Sequence, residues 1–175
     1  MNTRTILWAI DPFEQGLKFD RKTVKELMTW ALQTGQKVEP VFVLSATEQP
    51  VTKASEIEGK ISDFFSTFHI EGVKPTILIN NTRSIAKGAQ TVLEYAKEAN
   101  AGLIIVSSHG RKGIPRMRFG SFAEALLTQA HIPLFFMNQV PLPVAVNLTK
   151  TLWATDFSNH CRIAYDAFLY QARDL

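Results

Sequence analysis

Cysteine, long apolar runs and net charge are all scarce in this sequence, and each scarcity excludes a class of protein. The single cysteine, Cys161, rules out an internal disulfide and favours a reducing compartment, so we expect the cytoplasm. No apolar run is long enough to span a bilayer, and the first residues lead into a strand without a signal-peptide pattern. The net charge of +3 is too small to indicate nucleic-acid binding, because acidic residues alternate with the basic ones. We therefore expect neither a membrane nor a nucleic acid as a partner.

Several catalytic and metal-binding motifs are absent as well. The sequence contains neither the phosphate-binding pattern GxxxxGK[ST] nor the dinucleotide pattern GxGxxG, and no GxSxG elbow marks a serine nucleophile. A hydrolytic triad of Asp11, Ser107 or Ser108, and His109 is disfavoured, because a serine and histidine this close in sequence rarely reach the required geometry. The histidines lack the spacing of metal ligands and are scattered at 69, 109, 131 and 160. We therefore predict no catalytic residue and no metal site.

What the sequence does contain is a regular alternation of strand-like and helix-like segments. Its 175 residues, 46% of them hydrophobic, suffice for one domain with a sizeable core. Short β-branched apolar runs predict strands, and apolar stripes with helical spacing predict helices that pack on a sheet. The predicted strands are 5–10, 37–44, 76–80, 103–106 and 133–137, and the predicted helices are 21–33, 55–68, 84–99 and 121–130. This alternation favours an α/β fold with an open five-stranded parallel sheet and helices on both faces.

The stretch 102–124, with the sequence GLIIVSSHGRKGIPRMRFGSFAE, is the most informative part of the chain. It begins as a strand buried on both faces and passes into a loop of small and basic residues. We expect Ser121 and Glu124 to form a capping box at the start of the following helix. Free backbone N–H groups, a positive helix end and several cations then surround one spot, which suits a phosphate group.

This stretch resembles the nucleotide-binding loop of the universal stress protein family, which has the form glycine, two residues, glycine, nine residues, glycine, then serine or threonine. Gly110, the nine residues after it, Gly120 and Ser121 match that pattern, whereas Ser107 stands in place of the first glycine. The resemblance implies the strand order 3-2-1-4-5. It also implies that Asp11 and the loop 107–121 line one crevice beyond the carboxyl ends of the first and fourth strands.

The resemblance further implies the residues of an ATP site, with Mg²⁺ held mainly by the phosphates. By position in the family pattern, Ala9, Asp11 and Val43 would surround the nucleoside. The ribose and phosphates would be held by Val106, Ser107, Gly110, Gly120, Ser121 and Phe122. For Asp11 the alternative is a cap at the end of a strand, and for Gly110 and Gly120 it is simple turn geometry.

Two functions are compatible with these residues. The first is a stress-response or signalling module that binds an adenine nucleotide; a slow ATPase would need a water-positioning base, and the loop offers none. The alternative is a family member without nucleotide binding that acts as a dimerising interaction module. In either case the apolar last strand predicts a homodimer through residues 133–138, because an exposed strand edge invites pairing with another chain. The competing possibility is that the tail of the chain covers this edge.

A short repeat divides the chain. The sequence LWATD at 152–156 resembles LWAID at 7–11, and prolines at 141 and 143 mark a linker before it. We therefore predict a nucleotide-binding domain over residues 1–140. Residues 141–175 would contain a linker and the first strand and helix of an incomplete second copy, unless the five-residue similarity arose by chance. A strand and one helix cannot bury a core alone, so this tail would pack on the domain, exchange with another subunit or be mobile.

Overall fold

A computed structural model describes residues 4–13, 19, 21–45, 50–108, 120–138, 155 and 158–172. Strands and helices alternate along the domain, as the sequence pattern predicts, and one more helix follows in the tail. The elements are β1 (Thr5–Ala9), α1 (Arg21–Gln33), β2 (Lys37–Ser45), α2 (Pro50–Ser66), β3 (Thr76–Asn80), α3 (Ile85–Glu98), β4 (Ala101–Ser108), α4 (Ser121–Gln129), β5 (Leu134–Asn138) and α5 (Asn159–Ala172).

The five strands form one parallel sheet in the order β3-β2-β1-β4-β5, so the predicted order is confirmed. All neighbouring strands run parallel because a helix carries the chain back between successive strands. The register places Ala9, the last residue of β1, between Val41 of β2 and Val106 of β4. The carboxyl ends of β1 and β4 therefore lie side by side at one edge of the sheet.

Side chains on the two faces of the sheet form two different hydrophobic clusters, each covered by two helices. On the face covered by α1 and α2, which we call the aromatic face, the fully buried Trp8 packs edge-to-face against Phe19, Phe64 and Phe65 at ring-centroid distances of 5.5, 6.2 and 5.3 Å. The opposite face, covered by α3 and α4, is called the alanine face. Small residues recur in its cluster, namely Ala9, Ala89, Ala96 and Ala123.

Local sequence signals account for several element boundaries. Gly35, predicted to stop α1, follows that helix with a φ of +67°, a conformation that glycine adopts without strain. The start of α2 at Pro50 is earlier than the predicted residue 55, because the fixed φ of proline suits the first helical position. The strand β4 extends beyond the predicted 103–106 at both ends.

The described part of the tail contains one helix, α5. The predicted strand before it, at 152–154, lies outside the described residues, so the second copy stays a prediction. Two apolar side chains of α5, Ile163 and Leu169, are 65% and 42% exposed. Among the described helices of the whole chain, none combines the length and apolar character needed to cross a bilayer.

Candidate functional site

Asp11 lies at the carboxyl edge of the sheet, two residues beyond the end of β1, and is half-buried. Its Oδ1 accepts a hydrogen bond from the backbone N–H of Phe13 at 2.9 Å. This is the turn-capping role considered as the alternative for Asp11. The second oxygen, Oδ2, receives no hydrogen bond from any residue that the structure describes. The turn therefore fixes the orientation of the carboxylate through one of its two oxygens.

The structure brings four of the predicted site residues into one hydrophobic cluster on the alanine face. Ala9 and Val106 are register neighbours on the central strands β1 and β4 and are 9% and 2% exposed. Val43 of β2 and Phe122 of α4 are partly buried and pack against the same cluster. This part of the predicted site is a small apolar floor.

The prediction of a capping box at the start of α4 is wrong. Gly120 is the residue before the helix, and Ser121 is already the first helical residue, so its hydroxyl is one position too late to cap the helix. No side-chain cap is formed, and the first intrahelical hydrogen bond runs from the N–H of Glu124 to the carbonyl oxygen of Gly120 at 2.9 Å. The N–H groups of the first turn are thus open to an anion as far as the described residues are concerned.

Neither the backbone angles nor crowding by the described residues requires glycine at position 120. Its φ of −59° and ψ of 154° are accessible to any residue, and a Cβ built there meets no atom of the described residues within 4 Å. Simple turn geometry, the alternative considered for this glycine, therefore does not explain it.

The remaining predicted site residues are only partly described. The backbone of Ser107 is part of β4 and pairs with Met137 of β5, which places it at the same edge as Asp11, while its side chain is outside the described part. Gly110 and the basic residues of the loop fall in 109–119, which also lies outside it. Their roles stay predictions from the resemblance.

Two residues that sequence reasoning missed border the same floor. Asn80 ends β3 and is 8% exposed, and Gly88 lies in the first turns of α3. A Cβ built on Gly88 would lie 3.7 Å from Asn80 Nδ2, 3.7 Å from Phe122 Cε2 and 3.8 Å from Val43 Cγ1. A glycine inside a helical pattern and a polar residue at the end of a strand were the available signals.

The model of the universal stress protein family matches residues 2–137. The chain belongs to the universal stress protein family. A universal stress protein from Archaeoglobus fulgidus has the same fold, with 17% identity and a TM-score of 0.57 over 78% of this chain and 98% of that one. None of the curated proteins compared with this chain matches it.

Two further solved structures of universal stress proteins share the fold and contain nucleotides. The Archaeoglobus fulgidus protein in complex with dAMP is 18% identical, with a TM-score of 0.55 over 78% of this chain and 98% of that one. A universal stress protein in complex with cAMP is 12% identical, with a TM-score of 0.54 over 79% and 98%. At these identities the likeness shows the fold alone.

In this universal stress protein, a buried titratable cluster lies away from the crevice, toward the amino-terminal edge of the sheet. Glu39 of β2, 6% exposed, accepts hydrogen bonds from Lys37 Nζ at 2.8 Å, Thr76 Oγ1 at 2.7 Å and the Tyr95 hydroxyl. Burial raises the pKa of the Glu39 carboxyl, but the three donors and the Lys37 charge together lower the pKa below its ordinary value. Burial and the hydrogen bond to Glu39 raise the pKa of Tyr95. The cluster joins β2, β3 and α3.

A hollow of about 360 Å³ also opens at the amino-terminal edge, between the ends of α3 and α4. It is lined by Arg4, Leu93, Ala96, Lys97, Asn100, Ala101, Gln129, His131 and Ile132. The crevice beyond β1 and β4 lies at the other edge, so the two are separate. Within the described part of the chain, no three histidine, cysteine or acidic side chains converge as a metal site would require.

Proposed function

We propose that this member of the universal stress protein family binds an adenine nucleotide, ATP with Mg²⁺ in the first instance, and acts as a stress-response or signalling module. The observation that carries the proposal is the convergence of three features at one edge of the sheet. These are the Asp11 carboxylate, the apolar floor around Ala9 and Val106, and the N-terminus of α4 without a side-chain cap. Parallel α/β sheets bind ligands beyond the carboxyl ends of such neighbouring strands.

Each feature suits one part of a nucleotide. The floor offers apolar contact to the nucleoside, and Asp11 Oδ2 can accept a hydrogen bond from a ribose hydroxyl. The first turn of α4 presents N–H groups and the positive end of the helix dipole, which favour phosphate oxygens. Gly120 leaves space at the same helix start. The complexes of relatives with dAMP and cAMP support an adenine nucleotide as the class of ligand.

The proposal is tested by calorimetry and thermal denaturation with ATP and Mg²⁺. A ligand that binds only the folded protein raises its melting temperature, and at a hundred times Kd the stabilisation is about 2.7 kcal/mol. We expect Ser107→Gly, which restores the family glycine, to strengthen binding, and Gly110→Val to abolish it by placing a branched side chain against the phosphates. The absence of any response in both the wild type and Ser107→Gly would instead favour the interaction module without nucleotide.

We also propose that the protein forms a homodimer through residues 133–138. β5 is the terminal strand of the described sheet and pairs with β4 on one side, and Phe135 is 45% exposed. A terminal strand with an exposed aromatic side chain favours association with a second copy. This surface does not require a nucleotide, so it also supports the second candidate function, a dimerising interaction module.

The cytoplasmic location and the domain boundary near residue 140 remain part of the proposal. The location rests on the single cysteine, Cys161, and the boundary rests on the repeat of 7–11 at 152–156.

A further inference from the structure

Asn80 is a buried amide whose hydrogen-bonding capacity is only half used. Its Oδ1 accepts hydrogen bonds from the backbone N–H of Thr82 at 3.2 Å and from the Thr82 hydroxyl at 3.3 Å. Its amide nitrogen, Nδ2, has no hydrogen-bond partner among the residues that the structure describes. The nitrogen is not one of the fully buried unpaired side-chain atoms of the described residues, so it keeps contact with solvent and can donate to an acceptor from outside them.

The orientation of the Asn80 amide follows from the turn that it caps. A backbone N–H can only donate, so the group facing Thr82 must be the amide oxygen. The nitrogen therefore points the other way, toward Gly88, where a Cβ would lie 3.7 Å from it. The turn fixes Nδ2 as a donor aimed at one place.

That place belongs to the apolar floor of the proposed site. Val43 pairs with Leu78 in the register of β2 and β3, and Asn80, two residues after Leu78, is on the same face of the sheet. Val43 Cγ1 and Phe122 Cε2 lie within 3.8 Å of the same point as Asn80 Nδ2. A single hydrogen-bond donor thus stands beside two apolar side chains already assigned to the nucleotide.

Gly88 keeps this place open. It is the fourth residue of α3, where alanine would favour the helix by roughly 1 kcal/mol. Its φ does not lie in the left-handed region, so backbone geometry does not require glycine. A methyl group at this position would be in van der Waals contact with Asn80, Val43 and Phe122, so the missing side chain leaves a methyl-sized hollow beside the Asn80 donor.

We propose that Asn80 is a specificity residue whose Nδ2 donates a hydrogen bond to a ring nitrogen of the adenine base, and this inference rests on the proposed nucleotide binding. Adenine presents acceptor nitrogens at its ring edges. One of them can accept a hydrogen bond from Asn80 Nδ2, which has no acceptor among the described residues. A neutral amide between apolar side chains suits a flat base, whereas the phosphates are drawn to the N-terminus of α4. Asn80 therefore reads the base end of the ligand.

The experiment compares ATP with its 1-deaza, 3-deaza and 7-deaza analogues by titration calorimetry, in the wild type and in Asn80→Asp. Each analogue replaces one ring acceptor by C–H. We expect the wild type to bind one analogue about tenfold more weakly than ATP, because one hydrogen bond to the base is lost. Asn80→Asp keeps the oxygen that caps the turn and replaces the donor by an acceptor, so it should bind ATP about tenfold more weakly and treat that analogue like ATP.

The control is Asn81→Asp, which introduces the same charge at the exposed neighbouring residue and should retain the preference among analogues. Equal affinity of the wild type for ATP and all three analogues would remove Asn80 from the site and leave nucleotide binding intact. This arm needs no variant, so it decides even if Asn80→Asp does not fold. If the wild type binds neither ATP nor any analogue, both this inference and the proposed function are wrong.

A second variant tests the hollow. Gly88→Ala should raise the melting temperature, because alanine favours the helix, while lowering the affinity for ATP, because the added methyl group occupies the space beside Asn80 Nδ2. A stabilised protein with unchanged affinity would contradict contact between the base and Asn80 Nδ2. Simple damage to the fold would lower both quantities and is thereby recognised.

Discussion

Gly120 and Asp11 at the carboxyl ends of the strands both have a local structural role that leaves polar groups without partners among the described residues. Asp11 caps a turn with one oxygen, and its other oxygen receives no hydrogen bond from the described residues. Gly120 starts α4 without supplying a cap, and the described residues around it leave room for a side chain. In both cases the residue leaves polar groups unused by the described fold, which is what a binding site requires.

The substitution Gly120→Ser separates stability from binding. Serine is at least as good a residue before a helix as glycine, so we expect the free energy of unfolding in urea to be unchanged or higher by a few tenths of a kcal/mol. Its hydroxyl would accept from the first-turn N–H groups that the phosphates are proposed to use. The affinity for ATP measured by calorimetry should fall about tenfold or more.

Gly59→Ser is the matched control, because Gly59 in α2 also has no atom within 4 Å of a built Cβ. It should leave the affinity for ATP unchanged. Wild-type affinity in Gly120→Ser would show that the start of α4 does not hold the phosphates.

At the residue scale, the sequence predicted positions better than it predicted hydrogen bonds. Asp11, Ala9 and Val106 could be placed together because strand ends follow from apolar runs and the strand order follows from the resemblance. The cap of α4 was misplaced by one residue, because Gly120 and Ser121 are both acceptable residues at that position. Asn80 was missed because its role depends on Gly88, which meets it only in the folded chain.

At the scale of elements, the Glu39 cluster joins β2, β3 and α3 through one carboxylate. Thr76 donates from β3 and Tyr95 donates from α3, so the helix is tied to the sheet at the edge opposite the crevice. Hydrogen bonds to a charged group contribute about 1.5–3 kcal/mol each. The cluster therefore fixes the far end of α3, whose first turns carry Gly88.

Tyr95→Phe should destabilise the protein by about 1.5–3 kcal/mol near neutral pH, measured by urea unfolding. The pKa of Glu39 is lowered in the folded state, so its contribution is present above the ordinary value of 4.5 and is lost as the pH falls through the folded pKa. The variant removes one cause of that lowering. Its difference from the wild type should therefore shrink as the pH falls below 4.5.

Thr76→Val removes another donor to Glu39. It should also lower the free energy of unfolding near neutral pH, and its difference from the wild type should also shrink as the pH falls. A difference from the wild type that stays constant between neutral and acidic pH would mean that the hydroxyls do not act through the ionised carboxylate.

Element limits were predictable where a residue of special geometry marks them, and less so elsewhere. Gly35 ends α1 as expected, because its positive φ is a local property. The true length of β4 could not be read from its apolar run, since Ala101 and Ser108 are added by pairing with neighbouring strands rather than by propensity.

At the scale of the whole molecule, the two outermost strands of the described sheet, β3 and β5, provide a direct test of the proposed dimer. Phe135 on β5 is 45% exposed, and Ile79 on β3, at the other side of the sheet, is 52% exposed. Phe135→Lys should convert the dimer to a monomer at micromolar concentration, because an edge lysine opposes strand pairing. Light scattering coupled to gel filtration gives the mass.

Ile79→Lys is the matched control and should leave the dimer intact, because the proposed interface does not include β3. A wild type that is already monomeric, or a loss of the dimer in Ile79→Lys alone, would contradict an interface through residues 133–138. Circular dichroism of each variant verifies that the fold is retained.

The strand order of the whole domain was predictable, because alternation of strands and helices limits the topology and the family resemblance selects one order. The site was predictable only as a neighbourhood. Its apolar floor follows from strand ends, whereas the loop 109–119 offers no periodic pattern from which a backbone path could be predicted. The arrangement of the tail could not be predicted either, since four identical residues in a stretch of five define a repeat but not a docking surface.

Large side chains pack on one face of the sheet and small ones on the other, and this difference limits which substitutions the protein can accept. Trp8 and its phenylalanine neighbours occupy the aromatic face, while alanines let α3 and α4 approach the other face closely. A bulkier residue in place of Ala89 or Ala123 would push a helix outward and carry the walls of the crevice with it. We therefore expect substitutions that adapt the protein to a different ligand to occur in the loops beyond the strand ends. The small residues of the alanine face are expected to stay unchanged.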